Sequence, residues 1–339
     1  MAEPVLELNN LSVSFDTPNG EVEAVRDVSL TLMKGEILAL VGESGCGKTV
    51  MSQGVMKLLP KTARIKQGRI IVDGEDITDY KEKQMRRLRG SVMSMVFQDP
   101  MTTLNPTIPI GKQITESIFK HTRSSREQAK QRGLEMLNLV GIENPDQMFG
   151  LQPHFFSGGM RQRCVLAIAL ASNPKVLFAD EATTALDVTV QAKIIDLLLD
   201  IRDKSGLSIV FISHDLGAVA RIADRVAVMY AGKIVEIGTA EEIYYDPRHP
   251  YVWGLMSALP SLTKEGENLS GISGMPPVML NPPPGDAFAV RNEFALTIDY
   301  EEMPPMFQIS PTHSAATWLL DERAPKIAPP MALQRRKIV

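Results

Sequence analysis

A glycine-rich run between an apolar stretch and a helix-forming stretch constrains this chain more than any other feature. Ile37-Leu38-Ala39-Leu40-Val41 reads as a buried strand. Gly42-Glu43-Ser44-Gly45-Cys46-Gly47-Lys48-Thr49 follows at once, and a helix is predicted from about Thr49 until Pro60 stops it. The run fits G-x-x-x-x-G-K-[ST], a loop whose glycines let main-chain N–H groups turn inward around phosphates. The following helix presents its positive end, Lys48 is in reach of β and γ oxygens, and Thr49 offers a hydroxyl to Mg2+. A chance glycine turn would need neither the strand before it nor the helix after it. On this reading Gly42, Glu43, Ser44, Gly45, Cys46, Gly47, Lys48 and Thr49 bind a nucleoside triphosphate. A bulky reagent on the Cys46 thiol is then expected to block the loop unless nucleotide is bound first.

The rest of the chain supplies the sheet such a loop needs. Strand-like runs recur at 176–179, 208–212, 226–230 and 234–237, the last two flanking Gly232. With helical stretches between them, they predict an α/β fold with a mainly parallel sheet. Ahead of the loop, 11–15 and 21–25 alternate around Pro18-Asn19-Gly20, and Asn-Gly signals a hairpin, so an antiparallel β layer is expected there. Between about 88 and 165, Ser124-Ser125-Arg126-Glu127 reads as a capping box and Leu134, Leu137 and Val140 recur at helical spacing. That predicts an inserted helical subdomain. After Pro247, prolines at 260, 276–277, 282–284 and 304–305 break up short apolar pieces, which predicts an irregular C-terminal extension. The expected division is a nucleotide-binding domain over 1–250 and the extension over 251–339.

Val176-Leu177-Phe178-Ala179 ends on two adjacent carboxylates, Asp180 and Glu181. Side chains at the C-terminal edge of such a strand can reach a nucleotide. Asp180 suits Mg2+ held through water, and Glu181 suits a general base that deprotonates an attacking water. Either alone would read as a helix cap.

Composition narrows the function. Lys and Arg number 36 against 40 Asp and Glu, a net charge of −4, with neither sign gathered into a block, which argues against a nucleic-acid partner. No apolar run approaches the roughly 18 to 20 residues of a membrane helix, and Met1-Ala2-Glu3-Pro4 lacks signal-peptide character, so a cytosolic chain is expected. Cys46 and Cys164 are too few for a disulfide framework or a structural zinc and are expected to be free thiols.

Phe156-Ser157-Gly158-Gly159-Met160-Arg161-Gln162-Arg163 resembles the signature of the ABC ATPase family, typically written LSGGQ, with Phe for Leu and Met for Gln. Ser157, Gly158 and Gly159 open a helix N-terminus able to grip a γ-phosphate, and the resemblance implies that they do so across a dimer interface. Gln98, in Val96-Phe97-Gln98-Asp99-Pro100, resembles the Q-loop glutamine, which in that family touches Mg2+ and the water. Ala185-Leu186-Asp187 resembles the D-loop. Ile212-Ser213-His214-Asp215 resembles the switch histidine, which would hydrogen-bond the γ-phosphate and hold Glu181 in geometry. Phe15 either stacks on adenine or fills the N-terminal sheet. The implied fold is a P-loop NTPase (RecA-like) ABC nucleotide-binding domain, and the implied activity is hydrolysis of ATP with Mg2+.

Further along, His249-Pro250-Tyr251, Leu259-Pro260 and the proline-rich tail through Trp318-Leu319-Leu320 look like the oligopeptide and dipeptide importer ATPases, so the resemblance covers nearly the whole chain. That branch often carries four tail cysteines that suggest an iron–sulfur cluster. Asp286, Asn292, Asp299 and Thr317 stand at those positions, so no cluster is expected. Phe155 stands where an acidic residue is usual. The branch implies two multispanning permeases, a second ABC ATPase completing a heterodimer, and an extracellular peptide-binding protein acting indirectly. It further implies a permease helix received near Met101-Thr102-Thr103-Leu104 and a peripheral place on the cytoplasmic face of the cell membrane. The alternatives are import of nickel or another small solute by the same branch, and an ABC role on soluble partners. A single cassette and no heptad run speak against the last.

Overall fold

The computed structural model describes residues 3–97, 99, 103–182, 187–258 and 272–330. In chain order the strands are β1 (Pro4–Thr17), β2 (Gly20–Met33), β3 (Ile37–Val41), β4 (Ala63–Val72), β5 (Glu75–Asp76), β6 (Met93–Val96), β7 (Val176–Asp180), β8 (Ser208–Ser213), β9 (Arg225–Tyr230), β10 (Lys233–Thr239), β11 (Phe307–Gln308) and β12 (Ser314–Ala315). The helices are α1 (Lys48–Val55), α2 (Glu82–Leu88), α3 (Ile110–His121), α4 (Arg126–Leu139), α5 (Pro145–Met148), α6 (Gly158–Leu170), α7 (Val188–Ser205), α8 (Leu216–Ile222), α9 (Ala240–Tyr245) and α10 (Pro250–Ser257). They form two compact units, one from Met1–Glu7, Thr31–Ile37 and Ile70–Ile212, the other from Leu8–Leu30, Leu38–Arg69 and Ser213–Val339.

The expected N-terminal hairpin is present and longer than the alternation suggested, with 14 residues in each of β1 and β2. Thr17 Oγ1 donates to Gly20 O at 2.7 Å across the turn, and the antiparallel layer runs β2-β1-β4-β5.

In the first unit β8, β7 and β6 lie side by side and parallel. Every residue of all three is buried, which is why they read as unbroken apolar runs rather than alternating ones. Helix α6 packs on β6, and α3, α4 and α6 pack on one another through faces that include Ile114, Ile118, Leu137 and Val165. Ser125 caps α4 and Gln128 completes the box. The segment expected to be helical over about 88–165 therefore begins with strand β6, and its last helix runs on to Leu170.

In the second unit the strand order is β11-β12-β10-β9-β3, with β3 and β9 parallel and the other pairs antiparallel. Ala231 (φ 45°) and Gly232 (φ 83°) make the tight β9–β10 turn. Helix α1 ends at Val55 rather than being stopped by Pro60, because Lys57 turns left-handed at φ 50°. Among the described residues, 272–330 are mostly turns and short 3-10 segments, but they also add β12 and β11 to the edge of β10.

Candidate functional site

The glycine-rich loop leaves β3 and enters α1 through three left-handed glycines, Gly42, Gly45 and Gly47. Two of them have no room for a side chain. A Cβ on Gly42 would sit 2.1 Å from Met229 O, and one on Gly47 would sit 2.3 Å from Ala24 O. The loop therefore curls tightly, with Ser44, Gly45 and Thr49 exposed and Lys48 buried. Lys48 Nζ donates to Gly42 O at 2.7 Å and to Glu43 O at 2.9 Å, which places the ammonium inside the curl. Cys46 Sγ lies 3.6 Å from that ammonium and is buried, and burial raises its thiol pKa more than Lys48 lowers it. Cys46 is a free thiol that packs under the loop, so a bulky reagent must displace its surroundings to reach it.

Two side chains that motif reading missed hold the loop from outside. Glu43 N–H donates to the Tyr251 hydroxyl at 2.9 Å, and the Glu43 carboxylate accepts from Arg291 Nη1 at 2.7 Å and Nη2 at 2.9 Å. Phe15, the candidate adenine platform in β1, is half-buried.

In the first unit, Asp180 closes β7 and is buried, and Glu181 follows it half-buried. Glu181 N–H donates to Ile212 O at 3.0 Å, and its backbone is left-handed at φ 47°, a costly conformation for a residue with a side chain. Ser157 caps α6, its Oγ accepting from Met160 N–H at 3.3 Å, and at the N-terminus of that helix Ser157 and Gly158 are exposed and Gly159 is half-buried. Phe156 is buried, whereas Phe155 is 57% exposed with its ring 4.2 Å from that of His154. Asp187 caps α7 through Val190 N–H at 2.9 Å, and a Cβ on Gly159 would meet Val190 at 2.9 Å. The signature and Asp187 are therefore brought together around the start of α7. His214, in the second unit, is exposed at the end of β8, and the adjoining Asp215 caps α8. Gln98, Met101, Thr102, Ala185, Leu186, Leu259 and Pro260 lie outside the described residues.

Residues 25–184 match the ABC transporter family, and residues 235–298 match the oligopeptide/dipeptide transporter C-terminal region. The oligopeptide transport ATP-binding protein OppD of Bacillus subtilis is 55% identical over 334 residues, covering 98% of this chain and 93% of that protein. This chain belongs to the ABC transporter ATP-binding proteins. The ABC ATPase is also similar to the dipeptide transport ATP-binding protein DppD of Lactococcus lactis, at 53% identity over 96% of this chain and 94% of that protein. A solved dimeric ATP-binding cassette in a post-hydrolysis state, bound to ADP and Pi, matches at TM-score 0.63 and 26% identity over 69% of this chain and 98% of that one. The cbiO1 cassette of Clostridium perfringens matches at TM-score 0.63 and 27% identity over 72% of this chain and 92% of that one. The fold of the ABC ATPase is accordingly that of an ABC cassette. Among the described residues no helix is long and apolar enough to cross a membrane.

The tail positions where that branch often carries cysteines do not suit an iron–sulfur cluster. Asp286 Oδ1 accepts from Phe288 N–H, Asn292 Oδ1 from Phe294 N–H, Asp299 Oδ2 from Leu296 N–H and Thr317 Oγ1 from Leu319 N–H. All four are buried, and each ties down its own turn instead of offering the thiolate a cluster needs.

Proposed function

We propose that this ABC ATPase hydrolyses ATP to power import of oligopeptides or dipeptides through a membrane transporter. The observation that carries the proposal is the likeness to peptide-transport ATP-binding proteins along 98% of the chain, tail included. In this reading residues 1–250 form the nucleotide-binding domain and 251–339 the extension typical of that branch. The partners are two multispanning permeases and a second ABC ATPase, with a peptide-binding protein outside the cell, and the chain sits peripherally on the cytoplasmic membrane face.

The roles follow from the chemistry of each side chain and, for Gln98, His214 and the signature, from the resemblance to the family's motifs. Lys48 and the main-chain N–H groups of 42–49, except that of Glu43, which is held by Tyr251, bind and orient the phosphates. Ser157, Gly158 and Gly159 grip the γ-phosphate of a site whose loop belongs to the partner ATPase. Glu181 accepts a proton from water as the water oxygen attacks the γ-phosphorus and the bond to the β-bridging oxygen breaks, giving ADP and phosphate. His214 and Gln98 hold that water and Glu181 in line, and Phe15 stacks on adenine. Thr49, exposed on the first turn of α1, and Asp180, ending β7, are hard oxygen donors of the kind Mg2+ takes, together with Gln98. Mg2+ held by these donors would supply charge neutralisation to the phosphates.

Uptake of labelled di- and oligopeptides, measured in cells lacking this chain and complemented with it, tests the proposal. Wild type restores uptake. Glu181→Gln keeps ATP binding while turnover falls by about 10² to 10⁴-fold, the usual effect of losing a general base, and uptake fails with it. Full uptake of peptides without the chain, or wild-type turnover in Glu181→Gln, would overturn the transport or the base assignment respectively.

A further inference from the structure

Arg291 lies in the C-terminal extension, 248 residues from Glu43, yet its guanidinium is fully committed around the glycine-rich loop. Nη1 donates to Glu43 Oε2 at 2.7 Å and to the Tyr230 hydroxyl at 3.2 Å. Nη2 donates to Glu43 Oε1 at 2.9 Å and to Gly274 O at 3.1 Å, and Nε donates to Ser273 O at 2.8 Å. A guanidinium has five N–H donors in a rigid fork, and each is used here. The side chain is 4% exposed, its cation lies 5.7 Å from the centre of the Tyr230 ring, and Tyr230 in turn packs on Tyr251 and Phe288. Tyr251 meets the same residue from another side by accepting the Glu43 N–H. Glu43 O accepts from Lys48 Nζ, the group that meets the phosphates. Both the side chain and the amide of Glu43 are thus pinned by residues beyond position 250, and its carbonyl orients the loop lysine.

We propose that Arg291 and Tyr251 are positioning residues for the nucleotide loop, acting through Glu43. A bidentate pair restrains a carboxylate in both direction and rotation, which a single lysine contact does not. With the second loop residue clamped, the curl of 42–49 and the aim of Lys48 are set before ATP arrives, so less ordering cost falls on binding. The extension is then part of the ATP site's framework. It also gives anything that shifts the tail a direct mechanical route to the loop. This inference rests on the reading of 42–49 as a nucleotide loop.

The test measures KM for ATP and kcat on the full chain in its assembled transporter, together with ATP affinity of the full chain alone. Arg291→Ala and Glu43→Ala are each expected to raise KM about tenfold, the scale of a lost charge-assisted hydrogen-bonded pair, with kcat changed much less. Because one acts through the other, the double variant should be no worse than either single one. Arg291→Lys should not rescue, and Tyr251→Phe, which keeps the ring and loses the acceptor, should raise KM in the same direction. Should Arg291→Ala fail to fold, Glu43→Gln and Tyr251→Phe decide the matter. A lower melting temperature with KM unchanged, or additive effects in the double variant, would reduce Arg291 to a structural pin and overturn the inference. Lys48→Ala is the control: retained ATP binding there would sink the loop reading and this inference together, whereas lost binding beside an unchanged KM in Arg291→Ala sinks the inference alone.

Discussion

Cys46 is 1% exposed, and burial raises its thiol pKa, so at neutral pH it carries less thiolate than a free cysteine. Labelling by a maleimide in the absence of nucleotide is expected to be at least about tenfold slower than for free cysteine, since both ionisation and access oppose it. Mass spectrometry of the labelled peptide reads this, and rapid labelling that ATP prevents would show the loop opening far enough to expose the sulfur. Asp286 offers a second residue-scale test. Burial lifts its carboxyl to about 6 from 3.8, with Asp299 adding to the shift while the Phe288 N–H and Arg26 oppose it. A folded pKa raised above the unfolded one means stability that is present below 3.8 and is lost as pH rises through about 6. Asp286→Asn keeps the acceptor for Phe288 N–H and removes the charge. Its melting temperature should exceed that of wild type at about pH 8, with the gap closing at about pH 3.5. The loop motif makes Cys46 legible as a site residue, but its burial depends on how the loop curls against the rest of the unit, with Gly42 close to Met229 O and Gly47 close to Ala24 O, which no motif specifies.

Among the elements, the helices following the candidate site residues show how one side chain can serve twice. Asp187 is expected from its motif to act near the nucleotide, and it also caps the 18-residue helix α7. Asp187→Ala should therefore cost about 1 kcal/mol of stability, measured by urea unfolding, while Asp187→Asn keeps nearly all of it because an amide oxygen can still accept the Val190 N–H. Equal losses in both variants would show that charge, not capping, matters there. The long elements were legible in the sequence: β3, β7 and β8 from apolar runs, the β1–β2 hairpin from Asn19-Gly20, and α4 from the capping box expected over 124–127, which forms one residue later from Ser125 and Gln128. The two-residue strands β11 and β12 were not, since a strand that short carries no periodicity and exists only because β10 offers an edge. The end of α1 differs from the sequence expectation for a related reason, because the left-handed Lys57 is a conformational choice that Pro60 merely follows.

For the second unit as a whole, the tail is built into the sheet and the buried polar interior. Glu236, fully buried beside a register irregularity in β10, accepts from Arg248 N–H at 2.8 Å, His249 N–H at 2.7 Å and the His313 ring at 2.7 Å. Burial raises its carboxyl pKa and those donors oppose the rise. A chain ending after residue 258 would lose His313, β12 and Phe288, leaving the edge of β10 and the Tyr230–Tyr251 pair uncovered. Such a truncation should aggregate on size-exclusion chromatography and melt earlier than the full chain. A monomeric product with the full chain's melting temperature would mean that the tail contributes no stability. What the sequence determined by itself are the features set by local order: the strand-loop-helix that shapes a phosphate cradle, the signature run at a helix start, the paired carboxylates closing a strand, and the branch that the tail resembles. These survive in the linear text because each needs neighbours only a few residues away. The clamp of Arg291 and Tyr251 on Glu43, the burial of Cys46 and the housing of Glu236 were decided only in three dimensions. Each joins groups far apart along the chain, and a charge buried in such a place is stable only where folding brings its partners to it.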